Sequence, residues 1–574
     1  MKTITLVLGI TTLAGLSPCL AQSENSTFFN PVLPGAHADP SCIGAEDVFY
    51  CATSTFISFP GNPIYASKDL INWKIISQAW NRESQLPDVS WGTTGQTNGF
   101  WAPTLRYHDG EFFLINIYQG GPQGRLGTLF RTKDIYNDAA WGNLAIYSRA
   151  RIDPDLFWDD DDKVYSAGAG IDLSQINLST GALASFQRVW AGTSLGYDEG
   201  PHIYKKDGYY YLLIAEGGTD LQHSAIIARA TDIEGPYEAY EHNPLLTNRG
   251  TDEYIQAVGH ADLFNDTNGN WWGLCLGRRS GTDVKYYPMG REGFLFPATW
   301  IEGEWPILEP VRGNMTGWPL PPRSRNVPGE GAFNGDPDKI TFKQGSSIPM
   351  HFIYWRVPRE GAFTTTSNGL QVVPSRANLT GDVTSDDLAL TGRRGLSMIG
   401  RRQTHTLFKY SIDINLFSPQ GIGQEAGATV FLTQFNHIEL GLVLLRGDSD
   451  DAPQLYLRLH VEDLGRSTPA DKLIVVPTKW IGRPMALHIE AKDPYSYLFT
   501  ASSTDGDVIN MGTVSSSHVS GGPGNFVGSI VGIYATCNGV GQGDDCPEGG
   551  IATFQKWRYS PHGQYIDYDE WVSV

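Results

Sequence analysis

Three carboxylic acids occupy similar local settings. Asp39 precedes a proline in "HADPS", Asp153 precedes one in "RIDPD", and Glu199 stands two residues before one in "DEGPHIY". An apolar, aromatic-rich run follows each. An acid beside proline is ordinarily a turn or cap residue, because its side chain bonds the local backbone. Three such acids brought together have another use. A protonated carboxyl delivers a proton to a leaving oxygen, while an ionised one facing it activates water or attacks an acetal carbon. A third carboxylate raises the pKa of the acid by like-charge repulsion. Asp155, two residues after Asp153, competes for this third place.

Distant residues meet only if the elements carrying them repeat radially, and the first half of the chain does repeat. Five copies open at "DPSCIGAEDVFYCATS", "APTLRYHDGEFFLINIY", "DPDLFWDDDDKVYSAGAG", "EGPHIYKKDGYYYLLIAE" and "GHADLFNDTNGNWWGLCLG". Their period is roughly 45–60 residues, the range of radial β repeats. Alternating apolar strands joined by HDG, KDG and DTNG turns read as hairpins. The expectation is an all-β chain opening with a five-bladed β-propeller over residues 22–318. The innermost strand of each blade then lines a central channel. Asp39, Ala102–Pro103, Asp153, Glu199 and His260 open the five copies, so the acids become walls of one pocket. The acidic run Asp159–Asp162 lacks the EF-hand pattern and reads as a hairpin turn. Residues 319–337, rich in Pro and Gly, read as a linker. Beyond them, "HTLFKYSIDINLF", "ATVFLTQF" and "QLYLRLHV" alternate without helical period, which predicts a β-sandwich over 338–574.

Composition limits the partners. The chain has 574 residues, long enough for two large domains, and 41% hydrophobic against 18% charged residues, as a packed protein requires. A formal charge of −20 argues against nucleic acid or an anionic membrane as partner. Residues 1–21 read as a cleaved secretion signal, with a Lys, an apolar run and small residues near Ala21. The expected location is extracellular. In an oxidising compartment Cys42 with Cys51, and Cys537 with Cys546, are expected disulfides, while Cys275 is a buried thiol. Asn25, Asn177, Asn265, Asn314 and Asn378 begin N-x-S/T sequons, consistent with glycosylation.

The first domain resembles glycoside hydrolase family 43, which includes β-xylosidases and α-L-arabinofuranosidases. "NPVLPGAHADPS", "FWAPTLRYHDGEFFL", "DPDLFWDDDDKVY", "DEGPHIYKKDGYYYLLIAEGGT", "VGHADLF" and "PMGREGFLFPATW" carry the likeness in family order. The second half resembles the C-terminal concanavalin A-like sandwich of many β-xylosidases, through "SIPMHFIYWRVP" and "GRRQTHTLFKYSIDINLFSP". The resemblance implies Asp39 as general base, Glu199 as general acid and Asp153 as the residue that tunes and orients the acid. Asp153 is preferred to Asp155 because it precedes its proline as Asp39 does. The resemblance also places Trp101, His260 and Arg291 around the terminal sugar, with Phe56 as a further wall. It requires no cofactor and admits a calcium ion near His260.

The activity implied is that of a fungal-type secreted, inverting exo-glycosidase acting on plant cell-wall xylan. It would release terminal β-1,4-xylose, α-L-arabinofuranose or both from xylo-oligosaccharides or arabinoxylan. An α-L-arabinofuranosidase specialised for arabinoxylan side chains is the alternative within the class. Ser58 and Gly293 depart from the commoner family residues and are expected to bear on which sugar is accepted. Invertase-like retaining hydrolases also use five blades and three acids, but their "NDPNG", "RDP" and "EC" signatures are missing here. A non-catalytic carbohydrate-binding protein would keep the aromatic walls without needing the acids.

Overall fold

Short alternating strands closed by Gly- and Asp-rich turns cannot bury their apolar faces alone, so they stack. The computed structural model describes residues 25–87, 89–93, 95–380, 395–447, 452–541 and 546–574. The leader expected over residues 1–21 lies outside them. Five four-stranded antiparallel sheets follow one another in the chain. Their innermost strands are Ser41–Ala45, Gly99–His108, Phe157–Trp158, Glu199–Lys206 and Ile255–Asn265. They are blades 1 to 5 of a β-propeller. Outside the blades, Ser26–Phe29 pairs antiparallel with Asn314–Gly317 as a separate two-stranded sheet, which ties the first and last segments of the propeller together. The Asp159–Asp162 run is a hairpin turn, with Asp159 N–H donating to the Lys163 carbonyl and Lys205 Nζ holding the Asp159 and Asp160 carboxylates.

One polar hub ties the five blades together. Arg106 of blade 2 donates to Asp155 of blade 3 (2.7 Å), Asp262 of blade 5 (2.9 Å), His202 Nδ1 of blade 4 (2.9 Å) and Ser41 Oγ of blade 1 (3.3 Å). Asp262 also accepts from Ser41 Oγ and Tyr204 Oη, each at 2.7 Å. Burial opposes ionisation of Asp262, but Arg106 and the hydrogen-bond donors outweigh it and lower its pKa to about 2. The hub therefore fixes the inner strands against one another by charge-assisted bonds.

The second domain stacks two antiparallel sheets, as a concanavalin A-like sandwich. One consists of nine strands centred on Leu407–Ser418 and Ile551–Tyr565. The other has eight, and its last strand belongs to the propeller: Ser58–Phe59 of blade 1 pairs with Tyr354–Trp355. The sandwich core runs without a break into Ala38 and Phe56 of the propeller. A buried ion pair, Arg279–Glu292 (2.8 Å), reaches across as well, with Arg279 Nη1 donating to the Tyr565 carbonyl at 2.7 Å. The Pro- and Gly-rich stretch between the domains lies along the outer strand of blade 1, where Ile75 N–H donates to the Ala332 carbonyl and Asn334 N–H to the Trp73 carbonyl. Both expected disulfides form, Cys42–Cys51 and Cys537–Cys546, and Cys275 is a buried free thiol.

Candidate active site

Each inner strand enters the channel through a left-handed residue. Asp39, Ala102 and Asp153, each followed by proline, have φ of 52°, 35° and 53°; Gly200 has 56° and His260 has 48°. Non-glycine residues reach this region at a cost, and such strain gathers where a side chain must be aimed. At position 200 only glycine fits, because a Cβ there would sit 2.9 Å from the His260 ring.

Asp39 is held from two sides. Its Oδ1 accepts from Arg291 Nη1 at 2.8 Å, and its Oδ2 from Ser54 Oγ at 2.5 Å. Ser54 Oγ is itself aimed by the Ala102 N–H at 2.7 Å, and His260 Nδ1 lies 3.6 Å from Asp39 Oδ1. Burial works against the charge, but Arg291, His260 and Ser54 outweigh it and lower the pKa of Asp39. Glu199 has the opposite setting. Burial first, and then the negative charge of Asp39, push its pKa up to about 7 against the relief from Arg291. Asp153 is pushed up too, by burial, then by Glu199 and Asp39, while its Oδ2 accepts the Gly200 N–H at 3.1 Å. The pocket thus pairs an ionised carboxylate with a carboxyl that keeps its proton to neutral pH.

Aromatic rings wall the pocket, and one of them comes from the sandwich. Phe526, in the "GGPGNFVG" loop, stacks on Trp101 with centroids 6.1 Å apart and planes 11° apart. Phe56 lies tilted against both, at 6.5 and 6.4 Å. The Phe526 carbonyl accepts from Arg291 Nε and Nη2 at 3.3 and 3.2 Å. One guanidinium therefore holds Asp39 and anchors the sandwich loop. Trp101 is fixed by its indole N–H, which donates to the Thr97 carbonyl at 2.8 Å.

The structure brings Asp39, Asp153, Glu199, Trp101, Arg291, His260 and Phe56 to one end of the channel. Asp155 lies instead in the hub, bonded to Arg106 and to the Ile203 N–H at 2.8 Å. Gly293 is packed on Leu33, where an added Cβ would meet the Leu33 Cβ at 3.0 Å, and Ser58 pairs with Trp355 of the sandwich. Those two departures sit on packing surfaces. Sequence reasoning missed Ser54, the Gly200 amide and Phe526. The single aromatic of a glycine-rich loop was the available signal for Phe526.

Around His260 the residues do not fit a calcium ion, which takes six to eight oxygen ligands. The carboxylate beside it, Asp39, is taken up by Arg291 and Ser54, and the ring facing it belongs to His202, 6.3 Å away. Among the described residues no group of three or more His, Cys, Asp or Glu side chains is placed to hold a metal.

Asp153 and Asp155 are separable by experiment. Asp153→Asn is expected to move the basic limb of the pH–rate profile to lower pH, because Asp153 and Glu199 each disfavour the other's charge and the pair holds its last proton more tightly than Glu199 alone would. Asp155→Asn should instead cost stability, up to about 3–5 kcal/mol, by unbalancing the buried charge of Arg106. Melting temperatures and pH profiles of the two variants check this. The assignment is reversed if Asp155→Asn shifts the limb and Asp153→Asn does not.

A propeller whose axis ends in a clamped carboxylate, a proton-retaining carboxyl and an aromatic wall defines a glycoside hydrolase. Comparison with known proteins agrees. Residues 28–306 match the model for glycosyl hydrolases family 43, and residues 339–560 match the beta xylosidase C-terminal concanavalin A-like domain. The non-reducing end alpha-L-arabinofuranosidase BoGH43B of Bacteroides ovatus is 32% identical, over 92% of this chain and 94% of its own. The xylosidase/arabinosidase of Butyrivibrio fibrisolvens is 30% identical over 90% and 97%. The solved structure of Bacteroides ovatus Xyloglucan PUL GH43B superposes with a TM-score of 0.79 at 29% identity, covering 96% of this chain and all of that one. The chain belongs to glycosyl hydrolase family 43.

Proposed function

We propose that the protein is a secreted, inverting, exo-acting glycosidase that removes a terminal pentose from xylo-oligosaccharides or arabinoxylan, as β-1,4-xylose, α-L-arabinofuranose or both. The observation that carries this reading is the opposite electrostatic setting of Asp39 and Glu199 in a pocket walled by Phe56, Trp101 and Phe526. Asp39, ionised, takes a proton from water. The water oxygen bonds to the anomeric carbon as the glycosidic bond breaks, and Glu199 gives its proton to the departing oxygen. Asp153, its own carboxyl pushed up by burial and then by Glu199, shares in holding the acidic proton and, through the Gly200 amide, ties blade 3 to the strand that carries Glu199. The names of the relatives support a pentose as substrate. The xylosidase/arabinosidase of Butyrivibrio fibrisolvens supports both sugars, and the arabinofuranosidase of Bacteroides ovatus favours the second reading, an enzyme specialised for arabinose side chains. The two disulfides and the exposed sequon residues Asn25, Asn177, Asn265 and Asn314 support an extracellular location.

Two measurements test this. Product analysis on arabinoxylan, beside the aryl xyloside and the aryl arabinofuranoside, separates the sugars; no hydrolysis of any of the three would sink the proposal. Proton NMR of the first product should show α-xylose released from a β-xyloside before mutarotation. Initial release of β-xylose would make Asp39 a nucleophile in a retaining mechanism.

A further inference from the structure

Arg356 has no part in the reaction and, among the described residues, no hydrogen-bond partner for its guanidinium. It follows the strand Ile353–Trp355, at the seam where the sandwich takes up Ser58–Phe59 of the propeller, and it has a φ of 68°. The residue is 1% exposed, and its Nε, Nη1 and Nη2 all lack a hydrogen-bond partner. Other deeply buried guanidinium groups have partners: Arg279 has Glu292, Arg291 has Asp39, Arg401 has Asp338, and Arg402 donates its Nε to the Ala36 carbonyl at 3.0 Å. Among the described residues no carboxylate pairs with Arg356.

Among the described residues nothing nearby supplies a compensating charge. The titratable group that acts on Arg356 is Tyr118, and burial raises the Tyr118 pKa to about 12, so it stays neutral. Its hydroxyl is spent on Thr93 Oγ1 at 3.0 Å, which in turn donates to the Val89 carbonyl at 2.6 Å. Burial lowers the pKa of Arg356 only to about 10, so the group remains a cation at neutral pH. A second orphan donor belongs to the same apolar cluster. Trp80, whose ring lies 6.2 Å from that of Tyr118, is fully buried and its indole N–H is unpartnered. A buried cation with three unmet donors of its own and, among the described residues, no acceptor is a site short of an anion.

We propose that Arg356 is the centre of a buried anion site at the propeller–sandwich seam, taking a small monovalent inorganic anion of halide size. One guanidinium calls for one negative charge. Burial to 1% leaves no opening for a sugar acid or a phosphate ester. The anion binds the folded chain alone, so it stabilises the joined domains by mass action. It needs no substrate and stands independently of the sugar chemistry.

The test uses the full-length protein dialysed into sodium gluconate. Sodium chloride or bromide then replaces gluconate at constant ionic strength while thermal and urea unfolding are followed. The wild type should gain stability as the logarithm of halide concentration above the Kd, reaching about a hundredfold in the folded-to-unfolded ratio at a halide concentration a hundred times the Kd. Arg356→Met removes the charge and keeps an apolar chain of similar length, and it should show no such response. Bromide-soaked crystals of the wild type should give an anomalous peak beside Arg356, which decides the matter even if the variant does not fold. Equal stability of the wild type in chloride and gluconate, an undiminished response in Arg356→Met, or bromide crystals without that peak would each overturn the proposal.

Discussion

Glu199→Gln is expected to lower kcat on xylo-oligosaccharides by about 10²–10⁴-fold, the usual worth of a positioned general acid. Glutamine keeps the shape and the strand Glu199–Lys206 but has no proton of suitable acidity to give. The loss should be much smaller on an aryl glycoside, whose leaving group departs with little protonation. That contrast separates an acid from a structural residue, because a damaged pocket would slow both substrates alike. The pH profile gives a second reading. An acid works in its protonated form, and burial with the charge of Asp39 holds the pKa of Glu199 at about 7, so activity should fall as pH rises through that value. Asp39 works ionised, and Arg291, His260 and Ser54 lower its pKa despite burial, so the acidic limb lies well below. Loss of the basic limb in Glu199→Gln on the aryl substrate, with the acidic limb kept, completes the expected pattern. Near wild-type turnover of xylo-oligosaccharides by Glu199→Gln would remove Glu199 from the mechanism.

The three acids were legible in the sequence because local chemistry and repetition coincide on them. Asp-Pro twice and Glu-Gly-Pro once stand at the openings of β repeats, and radial repetition has one centre. The hairpin turns were legible for the same reason, since HDG and KDG supply the positive φ that Asp109, Gly110, Asp207 and Gly208 adopt. The hub was not. Arg106, Asp155, His202 and Asp262 each look like an ordinary polar residue on an alternating strand, and only closure of the ring shows that they meet. Asp155 illustrates the difficulty: it sits two residues from Asp153, yet the strand geometry gives it to Arg106 and gives Asp153 to the pocket. The sandwich could be expected from alternation, but its reach into the pocket could not. No pattern in "GGPGNFVG" says which face of another domain Phe526 will meet. Sharing of the two-residue strand Ser58–Phe59 is equally invisible, since so short a segment carries no periodicity.

Severing the sandwich should abolish activity altogether, and the reason is more specific than general instability. A propeller ending at residue 337 loses Phe526, so Arg291 loses the carbonyl that fixes its Nε and Nη2, and the guanidinium that clamps Asp39 is free to turn away. The edge of Ser58–Phe59 loses its partner strand, and Phe56 and Ala38 lose the core into which they are packed. Exposed strand edges and apolar patches of this kind lead to aggregation, so the fragment should be poorly soluble. Phe526→Ala in the full chain isolates the wall from the fold. It keeps the backbone carbonyl that Arg291 needs and removes only the ring on Trp101. Covering a half-buried aromatic ring with sugar is worth at most about 1.5–3 kcal/mol, so kcat/KM should fall by up to roughly 10- to 100-fold, mainly through KM, beside a loss of melting temperature from the lost packing on Trp101 and Phe56. Kinetics of the fragment and of Phe526→Ala beside the wild type check both statements. A soluble fragment with full kcat/KM would mean that the sandwich is a dispensable appendage. A normal KM in Phe526→Ala would mean that the ring seals the seam between the domains without touching the sugar.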